Sequence, residues 1–154
     1  MAMRWLEVRG RSRAQLEARL RHAGFSPEAA EATGERLSEL GILSDRAFAL
    51  AGVETGLRRG FARPYLQGDL ERRGVGEEDA AWALEESVNQ EPDEARARLL
   101  AESWARAHPS LVAGPWDRAF RRLGSILVRK GYEEDLVVEV CRAVLGDPPD
   151  PDTD

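Results

Sequence analysis

One spacing occurs three times along this chain: Leu16-x3-Leu20-x3-Gly24-Phe25, Leu66-x3-Leu70-x3-Gly74-Val75 and Leu123-x3-Leu127-x3-Gly131-Tyr132. Leucines four apart lie one above the other on a single helical face. A glycine four residues later is where the backbone can turn left-handed and close the helix, and the apolar residue after it can fold back onto the helix just left. Acidic residues follow, Glu28 in the first copy, Glu77, Glu78 and Asp79 in the second, Glu133, Glu134 and Asp135 in the third. They suit the positive end of a new helix. Each copy therefore reads as helix, glycine turn, helix. The copies begin 50 and 57 residues apart, the range in which one supersecondary unit stacks on the next to bury a face it cannot bury alone.

The elements between the copies complete the pattern. Residues 3 to 9 read as a short helix carrying Trp5, Leu6 and Val8. Ser12 stands three before Gln15, a capping-box spacing, and the helix it opens runs to Ala23. Ser26-Pro27 caps the next, which runs to Leu40 before Gly41. Ser44-Asp45 opens a helix with Phe48, Ala49, Val53 and Leu57, in which Gly52 and Gly56 permit close packing. Pro64 starts the second repeat helix, and its partner runs from Glu77 to about Ser87. Pro92 opens a helix over 93–107 carrying Leu99, Leu100 and Trp104. His108-Pro109-Ser110 and Gly114-Pro115 bracket a loop. The last pair runs from Trp116 to Lys130 and from Glu133 to Leu145. No segment alternates with the period of a strand. The expectation is an all-α fold of about nine helices in three tandem three-helix repeats, residues 1–43, 44–90 and 91–145, with a disordered acidic tail over 146–154.

Charge divides the chain. Residues 1–74 hold 13 basic and 10 acidic groups, residues 75–154 hold 9 and 18. The first half can face a polyanion, and the second, taken as a whole, should be repelled by one. No stretch is apolar for the 18 or more residues a membrane helix needs, and the amino terminus lacks a secretory core, so the expected location is cytoplasmic. The single Cys141 sits among Val137, Val138, Val140 and Val144 and reads as a core thiol.

Much chemistry is missing. The only lysine is Lys130, so there is no Gly-x4-Gly-Lys phosphate loop. Two histidines, His22 and His108, and one cysteine cannot build a four-ligand zinc site, and neighbouring pairs such as Glu85-Glu86 do not share a helical face. The expectation is a protein that is not an enzyme and needs no cofactor or metal.

The elements Arg9-x2-Ser12-x3-Leu16-x3-Leu20-x3-Gly24-Phe25, Leu37-x2-Leu40-Gly41-x-Leu43-x-Asp45-x2-Phe48-Ala49, Arg59-Gly60 and Leu70-x3-Gly74-Val75 together resemble the RecX family of bacterial recombination regulators. The similarity covers residues 4–87 well and 93–145 more loosely. It implies an elongated, curved array of three-helix repeats and binding to the RecA filament on single-stranded DNA, with inhibition of its ATPase and strand exchange, in DNA repair, homologous recombination and the SOS response. Asp45 and Phe48 then serve as a cap and a core anchor. The expected partner-binding residues are the arginines at repeat-helix ends, Arg58, Arg59, Arg63, Arg72 and Arg73, with Arg129 and Lys130 as third-repeat equivalents. Direct DNA contact, if made, is weak and runs through the basic N-terminal half of a monomer. Pro64 and the acidic third repeat depart from the family pattern. A helix-turn-helix regulator and a protein-only scaffold are the competing readings, the first opposed by the acids that open each second helix.

Overall fold

A computed structural model describes residues 10–150. Among these there are nine helices and no strand: α1 (Arg13–His22), α2 (Pro27–Glu39), α3 (Asp45–Arg58), α4 (Arg63–Arg72), α5 (Glu77–Glu86), α6 (Asp93–Ala107), α7 (Pro109–Val112), α8 (Trp116–Arg129) and α9 (Glu134–Leu145). The expected helix over 3–9 lies outside the described residues, as does the end of the expected acidic tail. The ninth helix is α7, a four-residue turn where the sequence suggested a loop: Pro109 at its first position is compatible with a helix start, and Val112 and Ala113 close it on His108 and Pro109 carbonyls.

Local rules account for most helix ends. Ser12 and Gln15 form the complete capping box at the start of α1, and Ser26 accepts the Ala29 N–H ahead of Pro27 in α2. Each repeat glycine closes its helix in the same way, with Phe25, Val75 and Tyr132 donating their N–H to the carbonyls of Leu20, Leu70 and Leu127. Gly24, Gly74 and Gly131 stand at φ of 100°, 87° and 91°, the left-handed geometry of a Schellman turn. Pro64 does not delay α4: it occupies the second helical position, where its missing N–H costs no helical bond.

The chain divides into two compact units. One comprises residues up to 56 and 66–89, the other residues 57–65 and 90 onward. In the first, Leu16, Leu20, Ala30, Leu37 and Leu43 form a core. Gly52 and Gly56 let α3 approach Leu70 and Leu66 of α4, as a Cβ at Gly56 would overlap the Leu66 side chain. Leu20 and Leu70 are 3% and 2% exposed. Truncating either to alanine should cost about 2–5 kcal/mol in urea unfolding, and a loss under about 0.5 kcal/mol would contradict their place in the core. Val75 and Tyr132 pack inward after their glycines, but Phe25 is 49% exposed. In the second unit Ala97, Ala101, Trp104, Leu123, Leu127, Val137, Val140 and Cys141 form the core. Cys141 is fully buried, and burial pushes its thiol up to about 11, so it is an inert core group. The inward face of α6 differs from expectation: Leu99 points to solvent, and Arg96 takes the buried place beside Ala97.

Candidate partner-binding surface

The repeat glycines do more than end helices. In the first unit the end of α4 meets the start of α1: the Ser12 hydroxyl, which accepts the Gln15 N–H, also donates to the Arg73 carbonyl at 2.5 Å. One side chain thus caps one helix and satisfies a terminal carbonyl of another. Gly74 then sits so close to Ala14 that a Cβ would overlap it. In the second unit the end of α8 meets the start of α4 in the corresponding manner. The Ala62 N–H donates to the Lys130 carbonyl at 2.9 Å, and Gly131 sits against Tyr65 with no room for a Cβ.

An aspartate completes each arrangement. The Arg13 N–H, the first of α1, donates to Asp45 at 2.8 Å, and the Arg63 N–H, the first of α4, donates to both oxygens of Asp93 at 3.2 Å. Asp45 therefore caps a helix other than its own, whose start is held by the Ser44 hydroxyl. Phe48, expected as a core anchor, is only half-buried, and Ala49 is the fully buried residue beside it. Asp93 carries a further load, since it pairs at 2.6 Å with Arg96, only 5% exposed, whose second terminal nitrogen donates to the Glu91 carbonyl at 2.7 Å. The Arg96 Nε has no hydrogen-bond partner among the described residues.

Tyr132 closes this buried cluster by donating its hydroxyl to the Gly60 carbonyl at 2.7 Å. Burial pushes its phenol up to about 12, reinforced by the Asp93 carboxylate and opposed by Arg96. Because the folded-state value lies above the ordinary 10, the protonated phenol contributes stability that is complete below pH 10 and lost as pH rises from 10 to 12. Urea unfolding should show a decline of about 2 kcal/mol across that window, and Tyr132→Phe should abolish that component.

The expected site residues fall into two groups. Arg72 and Arg73, exposed at the end of α4 in the first unit, both pair with Asp69 at 3.4 and 3.0 Å. In the second unit Arg58, the last residue of α3, and Arg59 are exposed, Arg63 is half-buried, and Arg129 is exposed at the end of α8. Lys130 is committed within the chain: its ammonium donates to the Arg59 carbonyl at 2.9 Å and lies 4.2 Å from the Phe61 ring centre. Sequence reasoning passed over Arg118, Arg121 and Arg122, which share the outer face of α8 with Arg129. The spacing Arg118-x2-Arg121-Arg122-x6-Arg129 was the available signal.

Among the described residues no cluster of His, Cys, Asp or Glu could hold a metal ion, and no helix is long and apolar enough to cross a membrane. The recurring helix–glycine–helix units, with corresponding end-to-start contacts at Gly74 and Gly131, define an all-helical protein built on a repeated motif. The chain belongs to the RecX family. The model of the first three-helix domain of RecX matches residues 1–37. Regulatory protein RecX of Streptomyces coelicolor is 36% identical over 149 residues, spanning 94% of this chain and 76% of that protein. Regulatory protein RecX of Thermobifida fusca is 34% identical over 146 residues, with 94% and 77% spanned. The crystal structure of RecX from Lactobacillus salivarius has the same fold, with a TM-score of 0.70 over 93% of this chain and 91% of that one at 18% identity.

Proposed function

We propose that this protein binds the RecA filament on single-stranded DNA and lowers its ATPase and strand-exchange activity. The observation that carries the reading is membership of the RecX family over nearly the whole chain; the relatives' designation as regulatory proteins accords with it. The repeat supports it physically. Binding spread over several repeated units can bias the assembly of a polymeric partner without catalysis. The reading keeps three three-helix domains over 1–43, 44–90 and 91–145, a division supported by the recurrence of the Asp45–Arg13 and Asp93–Arg63 contacts. The contacting groups in this reading are Arg58, Arg59, Arg63, Arg72, Arg73 and Arg129, acting from a cytoplasmic monomer, while Lys130 holds the Arg59 turn in place.

The test is the single-stranded-DNA-dependent ATPase of the same organism's RecA with this protein titrated in. Inhibition at well below one molecule per RecA protomer is the expected result. A folded protein without effect on that ATPase would overturn the reading.

A further inference from the structure

The second half of the chain is strongly acidic, yet close to half of its basic residues share one helix face. Of the 9 basic residues after position 74, Arg118, Arg121, Arg122 and Arg129 all lie on the outer face of α8, opposite Leu123 and Leu127, which are fully buried. With Ser125 and Val128 they line one open recess of about 730 Å3. The four are exposed, and none meets a carboxylate among the described residues. Several arginines elsewhere are neutralised: Arg72 and Arg73 pair with Asp69, Arg96 with Asp93, and Arg98 with Glu94. On α8 the Nε atoms of Arg121 and Arg129 instead donate to backbone carbonyls of their own helix, Asp117 and Ser125, each at 3.2 Å. That tether steadies the stem of each side chain.

We infer that this face of α8 is a binding site for the phosphodiester backbone of a nucleic acid, single-stranded DNA in the setting proposed above, on which the inference rests for its biological partner. Arginines three and four apart stand about 5–6 Å from one another at Cβ, and the row from Arg118 to Arg129 extends about 16 Å along the helix. Arg121 and Arg122 stand at that interval from Arg118, and Arg129 follows about 10 Å further along the helix, a run of planar forks that can follow a chain of phosphates. An acidic protein surface fits less well. The face offers Val128 as its one apolar side chain, so there is no apolar centre around which a protein interface would form, whereas phosphate contacts need none. The net charge of this half therefore does not describe the α8 face, where four arginines gather without an ion pair among the described residues.

The experiment measures fluorescence anisotropy of a labelled oligothymidylate between 50 and 200 mM salt. It compares the full chain, a variant with Arg118, Arg121, Arg122 and Arg129 all changed to glutamine, and a charge-matched control with Arg36, Arg98, Arg106 and Arg142 changed to glutamine. Four phosphate contacts contribute about 2.8 to the logarithmic salt slope, or roughly a 50-fold affinity loss over that range. The face variant should lose this component while the control keeps most of it, with circular dichroism showing all three folded. A face variant that retains the native slope, a control that falls equally, or a native chain that does not bind the oligonucleotide would each overturn the inference. RecA ATPase assays on the same proteins separate the two claims. Unchanged oligonucleotide binding with lost ATPase inhibition would assign the face to an acidic protein surface and overturn the DNA site. A lost slope, with a native chain that leaves RecA unaffected, would uphold the site and remove only the RecA reading.

Discussion

Replacing Asp93 by alanine is expected to destabilise the protein by about 3–5 kcal/mol, among the largest effects of any single polar substitution, because it strands a buried guanidinium without its counter-charge. Arg96 is 5% exposed and its Nε has no hydrogen-bond partner among the described residues, so removal of the 2.6 Å ion pair leaves its charge to neutral partners such as the Glu91 carbonyl. The same change removes the acceptor for the Arg63 N–H at the start of α4. Urea unfolding of the single variants, together with Asp93→Ala/Arg96→Met, forms the decisive cycle. The double variant should recover most of the loss, since a buried pair replaced by apolar groups is often nearly neutral. A single-variant loss below about 1 kcal/mol would mean that Asp93 does not hold that charge. Asp45→Ala supplies the contrast. Asp45 occupies the corresponding position but holds only the Arg13 N–H in a half-buried setting, and the expected cost is that of one helix cap, about 1 kcal/mol.

Gly131→Ala should cost about 2–5 kcal/mol and Gly24→Ala only about 1–2, although the two glycines occupy the same place in the repeat. Both stand at positive φ, where an added Cβ costs about 1–2 kcal/mol. A Cβ at Gly24 would meet nothing within 4 Å. At Gly131 it would strike Tyr65, and separating them would displace the turn whose Lys130 carbonyl accepts the Ala62 N–H; overpacking of that kind adds about 1–3 kcal/mol. Gly74→Ala, against Ala14, should resemble Gly131. Thermal unfolding of the three variants checks this, and equal losses at all three positions would show that the end-to-start packing contributes nothing.

These contrasts mark how far the sequence could be read. The caps at Ser12 and Ser26, the Schellman turns and the leucine faces follow from neighbours within a few residues, so spacing alone exposed them. Leu99 and Phe25 were misplaced because a local pattern does not say which apolar residue finds a partner: Leu99 is 54% exposed, while α6 turns its alanines and Arg96 inward. The α8 arginines were overlooked for a related reason. Averaging charge over half the chain hides a local cluster of cations, and only the helix's orientation shows that they share one face.

The sequence by itself determined the helical class, the three repeat helices and their glycine turns, and the RecX resemblance, because those depend on short-range periodicity and on what a glycine backbone allows. The tertiary structure decided what each repeat position does. Gly24 ends a helix in open space, whereas Gly74 and Gly131 also seat one helix end on the start of another. Asp45 caps a helix, whereas Asp93 also neutralises a buried arginine. Partners 30 to 72 residues away in sequence make these differences, and no local pattern encodes which surfaces the folded chain brings within van der Waals contact.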